Sequence, residues 1–96
     1  MKKISQKEIK RYLEGYLAHV KYWSPDQGDS FLMLNCREIL AGQESLLTED
    51  LKKQLYDADN KVLTLATERH EEETPDIEFL RLTAEIISNS NHTKAA

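Results

Sequence analysis

The chain has few of the residues that define disulfide-bonded or turn-rich folds. It contains one cysteine, two prolines and three glycines. A single thiol cannot form an internal disulfide, and the scarcity of Gly and Pro favours long helices over turn-rich β structure. No apolar run approaches the roughly 20 residues that a bilayer span needs, and the start, MKKISQKEIK, lacks a signal-peptide core. We therefore expect a cytoplasmic protein without a membrane segment.

Length and charge indicate one small domain with an uneven charge distribution. The chain has 96 residues, of which 40% are hydrophobic and 31% are charged, as in an ordinary globular domain. Residues 1–22 carry six basic and two acidic side chains, whereas the remainder carries seven basic and fifteen acidic ones. The first segment is therefore basic and the rest is acidic. Such a split either attracts a charged partner or is satisfied within the fold.

The first helix is predicted over residues 5–23. Ser5 and Glu8 have capping-box spacing, and Pro25 disfavours a helical conformation at Ser24. One apolar stripe recurs at three- and four-residue spacing and comprises Ile9, Tyr12, Leu13, Tyr16, Leu17 and Val20. We expect its Tyr rings to line the edge of the core with their hydroxyls in water, or else to form a binding surface.

The second helix is predicted over residues 29–41, ending before Gly42. Its apolar side chains cover most of the helix circumference and comprise Phe31, Leu32, Met33, Leu34, Cys36, Ile39 and Leu40. A helix that is apolar nearly all round must be buried on several sides, so we expect it at the centre of the fold.

The third and fourth helices are predicted over residues 49–70 and 75–88. Thr48 precedes two acidic residues, and Thr74-Pro75-Asp76 combines a cap, a proline at the first helical position and an acid. The polar residues 89–96 lack periodicity and are expected to form a flexible tail. We predict a single all-α domain over residues 1–88. Its arrangement is an antiparallel up-down four-helix bundle, or alternatively a three-helix core with the fourth helix packed crosswise.

No catalytic motif emerges, so we expect no enzyme activity, no metal and no cofactor. The string from His70 to Thr74 begins like a zinc-protease helix but has Thr where the second His must stand. Cys36 is expected to be a buried, unreactive thiol. An alternative hypothesis is a bundle that binds a small ligand or metal near Tyr16, His19 and Cys36.

The basic first helix suggests a second alternative, a nucleic-acid-associated regulator. Its lysines and Arg11 could contact phosphates. Glu14 interrupts this basic face, however, and the chain as a whole is acidic, so we expect nucleic-acid binding to be the weaker hypothesis.

The function that the sequence favours is a non-catalytic protein–protein interaction or regulatory module. The fourth helix carries one apolar stripe that can fill the core, and a second that points elsewhere and comprises Phe79, Leu82 and Ile86. Surplus apolar surface usually marks an interface, here with another protein or in a homodimer. The acidic run before this helix includes Glu71, Glu72 and Glu73, which we interpret as a solvated connection, as a docking patch for a basic partner or, as the weaker alternative, as a divalent-cation site.

Overall fold

The structure, a computed structural model, describes residues 5–25, 27–68, 70 and 73–89, and these residues form four α-helices and no strand. The helices are α1 Gln6–Lys21, α2 Ser30–Ala41, α3 Glu49–Thr67 and α4 Pro75–Ser88, with a short 3-10 turn at Glu44–Leu46 between α2 and α3. The predicted all-α class is confirmed. The tail predicted for residues 89–96 falls almost wholly outside the described residues.

Three helices begin at the caps that the sequence indicates. In each case the side-chain oxygen of the cap accepts a hydrogen bond from a backbone N–H in the first turn, which satisfies one of the donors that a helix leaves unpaired. The pairs are Ser5 with Glu8 at 3.2 Å, Thr48 with Leu51 at 3.3 Å, and Thr74 with Ile77 at 3.2 Å. The exception is α2, because Asp29 precedes it but its side chain makes no capping bond.

The N-terminus of α2 is capped instead by a residue of α4. The carboxylate of Asp76 accepts hydrogen bonds from the backbone N–H groups of Gly28, at 2.9 and 3.1 Å, and of Ser30, at 3.2 Å. Gly28 and Asp76 are 48 positions apart in the chain. Phe31 and Phe79 have the same separation, and their rings also meet. Helices α2 and α4 therefore run parallel and in register.

The four helices form the predicted bundle. The main helix pairs are α1 with α2, α2 with α4, α3 with α4, and α1 with α3. This set of neighbours places α1 opposite α4, and α2 opposite α3. Consecutive helices reverse direction through short connections, so the fourth helix is a full member of the bundle and not a crosswise addition. None of the described helices is long and apolar enough to cross a membrane.

The core contains the predicted stripe of α1, whose residues Ile9, Leu13, Tyr16 and Val20 are all buried. The prediction for α2 needs correction. Met33 and Leu40 are buried, but Phe31 is 50% exposed and Leu32 is 39% exposed. Because α2 has only α1 and α4 as close neighbours, its outer side faces solvent despite being apolar.

Helix α3 ends at Thr67, earlier than the predicted His70. Glu68 already has extended backbone angles, and the His70 ring lies back against the bundle, with Nε2 3.1 Å from the carbonyl oxygen of Leu65. The His70 ring also meets Trp23 edge-on, with centroids 6.0 Å apart. His70, in the connection after α3, therefore packs on Trp23, which follows α1.

Candidate functional site

An apolar surface runs along the outer side of α2 and α4. We call it the α2–α4 face, and it comprises Phe31, Leu34, Phe79, Leu82 and Ile86. Its centre is the aromatic pair Phe31 and Phe79, whose ring centroids lie 6.3 Å apart with the planes tilted by 59°. Phe31 is 50% exposed and Leu82 is 39% exposed, while the other three side chains are half-buried. The face is therefore reachable by a partner without any rearrangement of the bundle.

The parallel register of the two helices sets the shape of this face. Phe31 lies beside Phe79, which is 48 positions later in the chain. The same separation of 48 positions places Leu34 at the height of Leu82 and Glu38 at the height of Ile86. On α4, residues three and seven positions beyond Phe79 lie on the same side of the helix. The face is thus an apolar strip about two helical turns long, with aromatic rings at one end.

The charges around the α2–α4 face are acidic. The exposed charged side chains of these two helices are Glu38, Glu78, Arg81 and Glu85. Arg81 is already engaged, because its guanidinium donates two hydrogen bonds to the Glu73 carboxylate at 2.7 and 2.9 Å. Glu38, Glu78 and Glu85 therefore flank the apolar strip, and Arg81, one turn from both Glu78 and Glu85, is the single exposed cation of these two helices.

The residues predicted to bind a partner separate into two groups. Phe79, Leu82 and Ile86 lie together on the α2–α4 face. Glu71 and Glu72 lie outside the described residues. Glu73 is exposed, and its hydrogen bonds from Arg81 lower its pKa below the usual value. Arg81 follows Phe79 by two positions, or about 200° around the helix, so the structure does not bring Glu73 to the apolar strip.

The sequence analysis missed a polar cluster inside the bundle. Arg37 of α2 donates two hydrogen bonds to Asp59 of α3, from Nε at 3.0 Å and from Nη2 at 2.9 Å. The hydroxyl of Tyr16 donates a third to the same carboxylate at 2.6 Å. All three side chains have 0% exposure. The predicted placement of the Tyr16 hydroxyl in water is therefore wrong.

A sequence signal for this cluster did exist. Arg37 lies four positions after the buried Met33 and three before the buried Leu40, and Asp59 has the same relation to Leu55 and Val62. A single opposite charge placed within each of two apolar stripes indicates a buried ion pair, since lone buried charges are very costly.

The buried cluster supports the fold and offers no reaction site. Burial raises the pKa of Tyr16 far above its usual value, and the neighbouring Asp59 carboxylate raises it further, so the phenol stays protonated. The guanidinium of Arg37 also approaches Glu44 at 3.9 Å, and its Nη1 has no hydrogen-bond partner among the described residues. With all three central side chains enclosed, no substrate reaches them in this structure.

Two kinds of reactive group that the sequence raises, a thiol and a metal-binding cluster, can be checked among the described residues. Cys36 is half-buried and lies against α1 beside Gly15, and burial raises the pKa of its thiol, which disfavours the reactive thiolate. In the part of the chain that the structure describes, no group of three or more His, Cys, Asp or Glu side chains could hold a metal ion.

Comparisons with protein families, curated proteins and solved structures find no match for this chain.

Proposed function

We propose that this protein is a non-catalytic interaction module that acts by binding another protein through the α2–α4 face. The observation that carries the proposal is the Phe31–Phe79 pair, which packs together on the surface while Phe31 stays 50% exposed. Within the described chain, Phe79 and Ile86 lie outside the buried core cluster. The bundle is therefore complete without full burial of this strip.

The energetic argument favours a partner on this face. Covering a large apolar side chain stabilises a complex by roughly 1.5 to 3 kcal/mol relative to leaving it in water. Aromatic residues are also enriched among the side chains that dominate binding energy. Single exposed apolar residues are common on monomers, but an aromatic pair continued by Leu82 forms a contiguous patch, which is typical of interaction surfaces.

The basic side of α1 supports nucleic-acid binding less well. Lys7, Lys10 and Arg11 are exposed, but so are Glu8 and Glu14 on the same helix. A mixed surface of this kind releases few counterions on binding a phosphate backbone, so we expect weak retention on heparin that is lost at modest salt.

The proposal is tested by affinity capture from extracts of the native cell with three versions of the purified protein. Leu82→Gln changes the α2–α4 face. Leu32→Gln is the matched control, because Leu32 has the same 39% exposure as Leu82 but lies outside the face. We expect a specific protein to be retained by the wild type and by Leu32→Gln and to be lost with Leu82→Gln.

A fold test accompanies the capture. Phe79→Glu should give a folded protein by circular dichroism, because the new carboxylate remains at the surface. Unfolding of this variant would assign Phe79 to the core and remove the main support for the proposal. Identical sets of proteins retained by Leu82→Gln and by the wild type would contradict it directly.

A further inference from the structure

We infer that the α2–α4 face binds an amphipathic helix of a different protein, one whose apolar anchors are flanked by Lys or Arg. This inference rests on the proposed function and adds the chemistry of the partner. It follows from two properties of the face, its shape and the sign of the charge around it.

The shape of the face suits a helix. The Phe31 and Phe79 rings meet along the line between α2 and α4, and Leu34, Leu82 and Ile86 continue this apolar strip. An amphipathic helix that lies on such a strip anchors itself with apolar residues at positions i, i+3 or i+4, and i+7, which span two turns. The strip has this length, since Phe79 and Ile86 are seven positions apart.

The charge of the face selects a basic helix. Glu78 and Glu85 are exposed, lie seven positions apart and therefore form a line along the outer edge of α4. Glu38 is exposed on α2 at the Ile86 end of the strip. Arg81 lies one turn from both Glu78 and Glu85, but its two hydrogen bonds go to Glu73, so carboxylates still outnumber cations along α4. A partner with Lys or Arg beside its apolar anchors gains favourable charge contacts on both sides of the strip, whereas an acidic partner is repelled.

The same charges argue against a second copy of this chain as the occupant. A two-fold dimer through the α2–α4 face would gather Glu38, Glu78 and Glu85 of both copies around one interface, and like charges oppose association. The basic helix α1 cannot serve as the bound helix either. Its apolar stripe is already buried in its own bundle, so it presents charges without anchors.

The test uses synthetic helical peptides of about 18 residues, five turns, that share one leucine stripe. One peptide carries Lys at every polar position, one carries Glu, and a third has the Lys composition in scrambled order without a stripe. Fluorescence anisotropy at low salt measures the dissociation constant of each. We expect the Lys peptide to bind at least roughly tenfold more tightly than the Glu peptide, with a difference that shrinks as salt screens the charges. The scrambled peptide should not bind.

Variants assign the binding to the face. Leu82→Gln should weaken the Lys peptide roughly tenfold, and the matched control Leu32→Gln should change its affinity less than about twofold. The triple variant Glu38→Gln/Glu78→Gln/Glu85→Gln should remove the discrimination between the Lys and Glu peptides. Its three positions are exposed, so folding is checked simply by its melting temperature.

The possible outcomes separate the inference from the proposed function. Equal binding of the Lys and Glu peptides, or sedimentation of the wild-type chain as a dimer that blocks peptide binding, overturns the basic-partner inference. Either result leaves binding by the α2–α4 face intact. Absence of binding by every peptide overturns the inference as well. If Leu82→Gln also retains the same cellular proteins as the wild type, both the inference and the proposed function fail.

Discussion

Arg37 and Asp59 form a two-point ion pair across the centre of the bundle, between helices that lie opposite each other. Both donor–acceptor distances are near 3 Å, at 3.0 and 2.9 Å, and neither side chain has any exposure. Paired geometry of this kind compensates part of the cost of removing two charges from water. The pair also joins α2 to α3, which are not among the main neighbouring pairs of the bundle.

Removal of one partner should therefore be severe. We expect Asp59→Ala to lower the free energy of unfolding by about 3 to 5 kcal/mol, because it removes both hydrogen-bonded acceptors of the buried Arg37 guanidinium and leaves only Glu44, 3.9 Å away, as a counter-charge. Urea unfolding followed by circular dichroism measures the loss. A chain of this size has a total stability of roughly 5 to 15 kcal/mol, so the variant is expected to be marginal at room temperature.

A double replacement provides the control for this prediction. Arg37→Met/Asp59→Leu removes both charges and keeps apolar volume in the core, so it should be more stable than Asp59→Ala alone. The opposite result is a double variant with a lower free energy of unfolding than Asp59→Ala, by as much as an independent core substitution costs. That result would show that the two charges do not depend on each other.

Tyr16 gives the protein a predictable response to alkaline pH. The folded state holds the pKa of Tyr16 well above the unfolded value of about 10, chiefly through burial. The stability that this provides is complete below the unfolded pKa and is lost as the pH rises beyond it, since only the unfolded chain then ionises. Tyr16→Phe should cost about 1.5 to 3 kcal/mol at neutral pH, because it removes a hydrogen bond to a buried carboxylate.

The comparison of Tyr16→Phe with the wild type across pH tests this directly. Their difference in unfolding free energy should shrink by about 1.4 kcal/mol for each pH unit above about 10. Tyr22→Phe is a suitable control, because the Tyr22 side chain is 72% exposed and the substitution should leave the stability curve unchanged. A constant gap between wild type and Tyr16→Phe would refute the assignment.

The elements that the sequence predicts well are those governed by local rules. Ser5, Thr48 and Thr74 begin their helices as their spacing requires, and the stripe of α1 is buried, because caps and amphipathic periodicity depend only on residues a few positions apart. Of the candidate site, Phe79, Leu82 and Ile86 could be grouped from helical spacing alone. Their neighbour Phe31 could not, because its contact depends on the parallel register of α2 and α4.

The elements that the sequence predicts poorly are those in which distant side chains satisfy each other. The apolar circumference of α2 suggested burial on several sides, yet which side of a helix faces solvent depends on how many neighbours it has. Likewise, Asp29 directly precedes α2 but makes no capping bond, and Asp76 from another helix occupies that role. Periodicity identifies the buried stripe of one helix, but it does not show which charged residue of a second helix pairs with a charge in that stripe. The Arg37–Asp59 pair was therefore not predicted.

The cap of α1 offers a further test. Ser5→Ala should destabilise the protein by about 1 kcal/mol, because it removes the acceptor for the Glu8 N–H. Glu8→Ala should cost less, and the double variant should cost less than the sum of the two, since the Ser5 hydroxyl and the Glu8 carboxylate also lie within 3.4 Å of each other. Strictly additive thermal-denaturation losses would show that the two side chains act independently.

Asp76 links α4 to the start of α2, and its role should depend on pH in the acid range. Burial alone would raise the pKa of Asp76, but hydrogen bonds from Ser30 and Gly28 outweigh that effect and hold it below the usual value. The resulting stability is present above the unfolded pKa of about 3.9 and is lost as the pH falls through the lower folded pKa. Asp76→Asn should therefore cost about 1 to 2 kcal/mol at neutral pH, with a gap to the wild type that closes on acidification.

Asp29→Asn is the matched control for Asp76→Asn. Both substitutions remove one carboxylate near the N-terminus of α2, but the Asp29 side chain makes no capping hydrogen bond. We expect Asp29→Asn to cost less than about 0.5 kcal/mol, the usual size of a helix-dipole contribution. Urea unfolding of both variants between about pH 7 and pH 3 measures the two losses. An equal loss for the two, or a gap for Asp76→Asn that persists at low pH, would show that α2 is held by its own dipole and not by the carboxylate from α4.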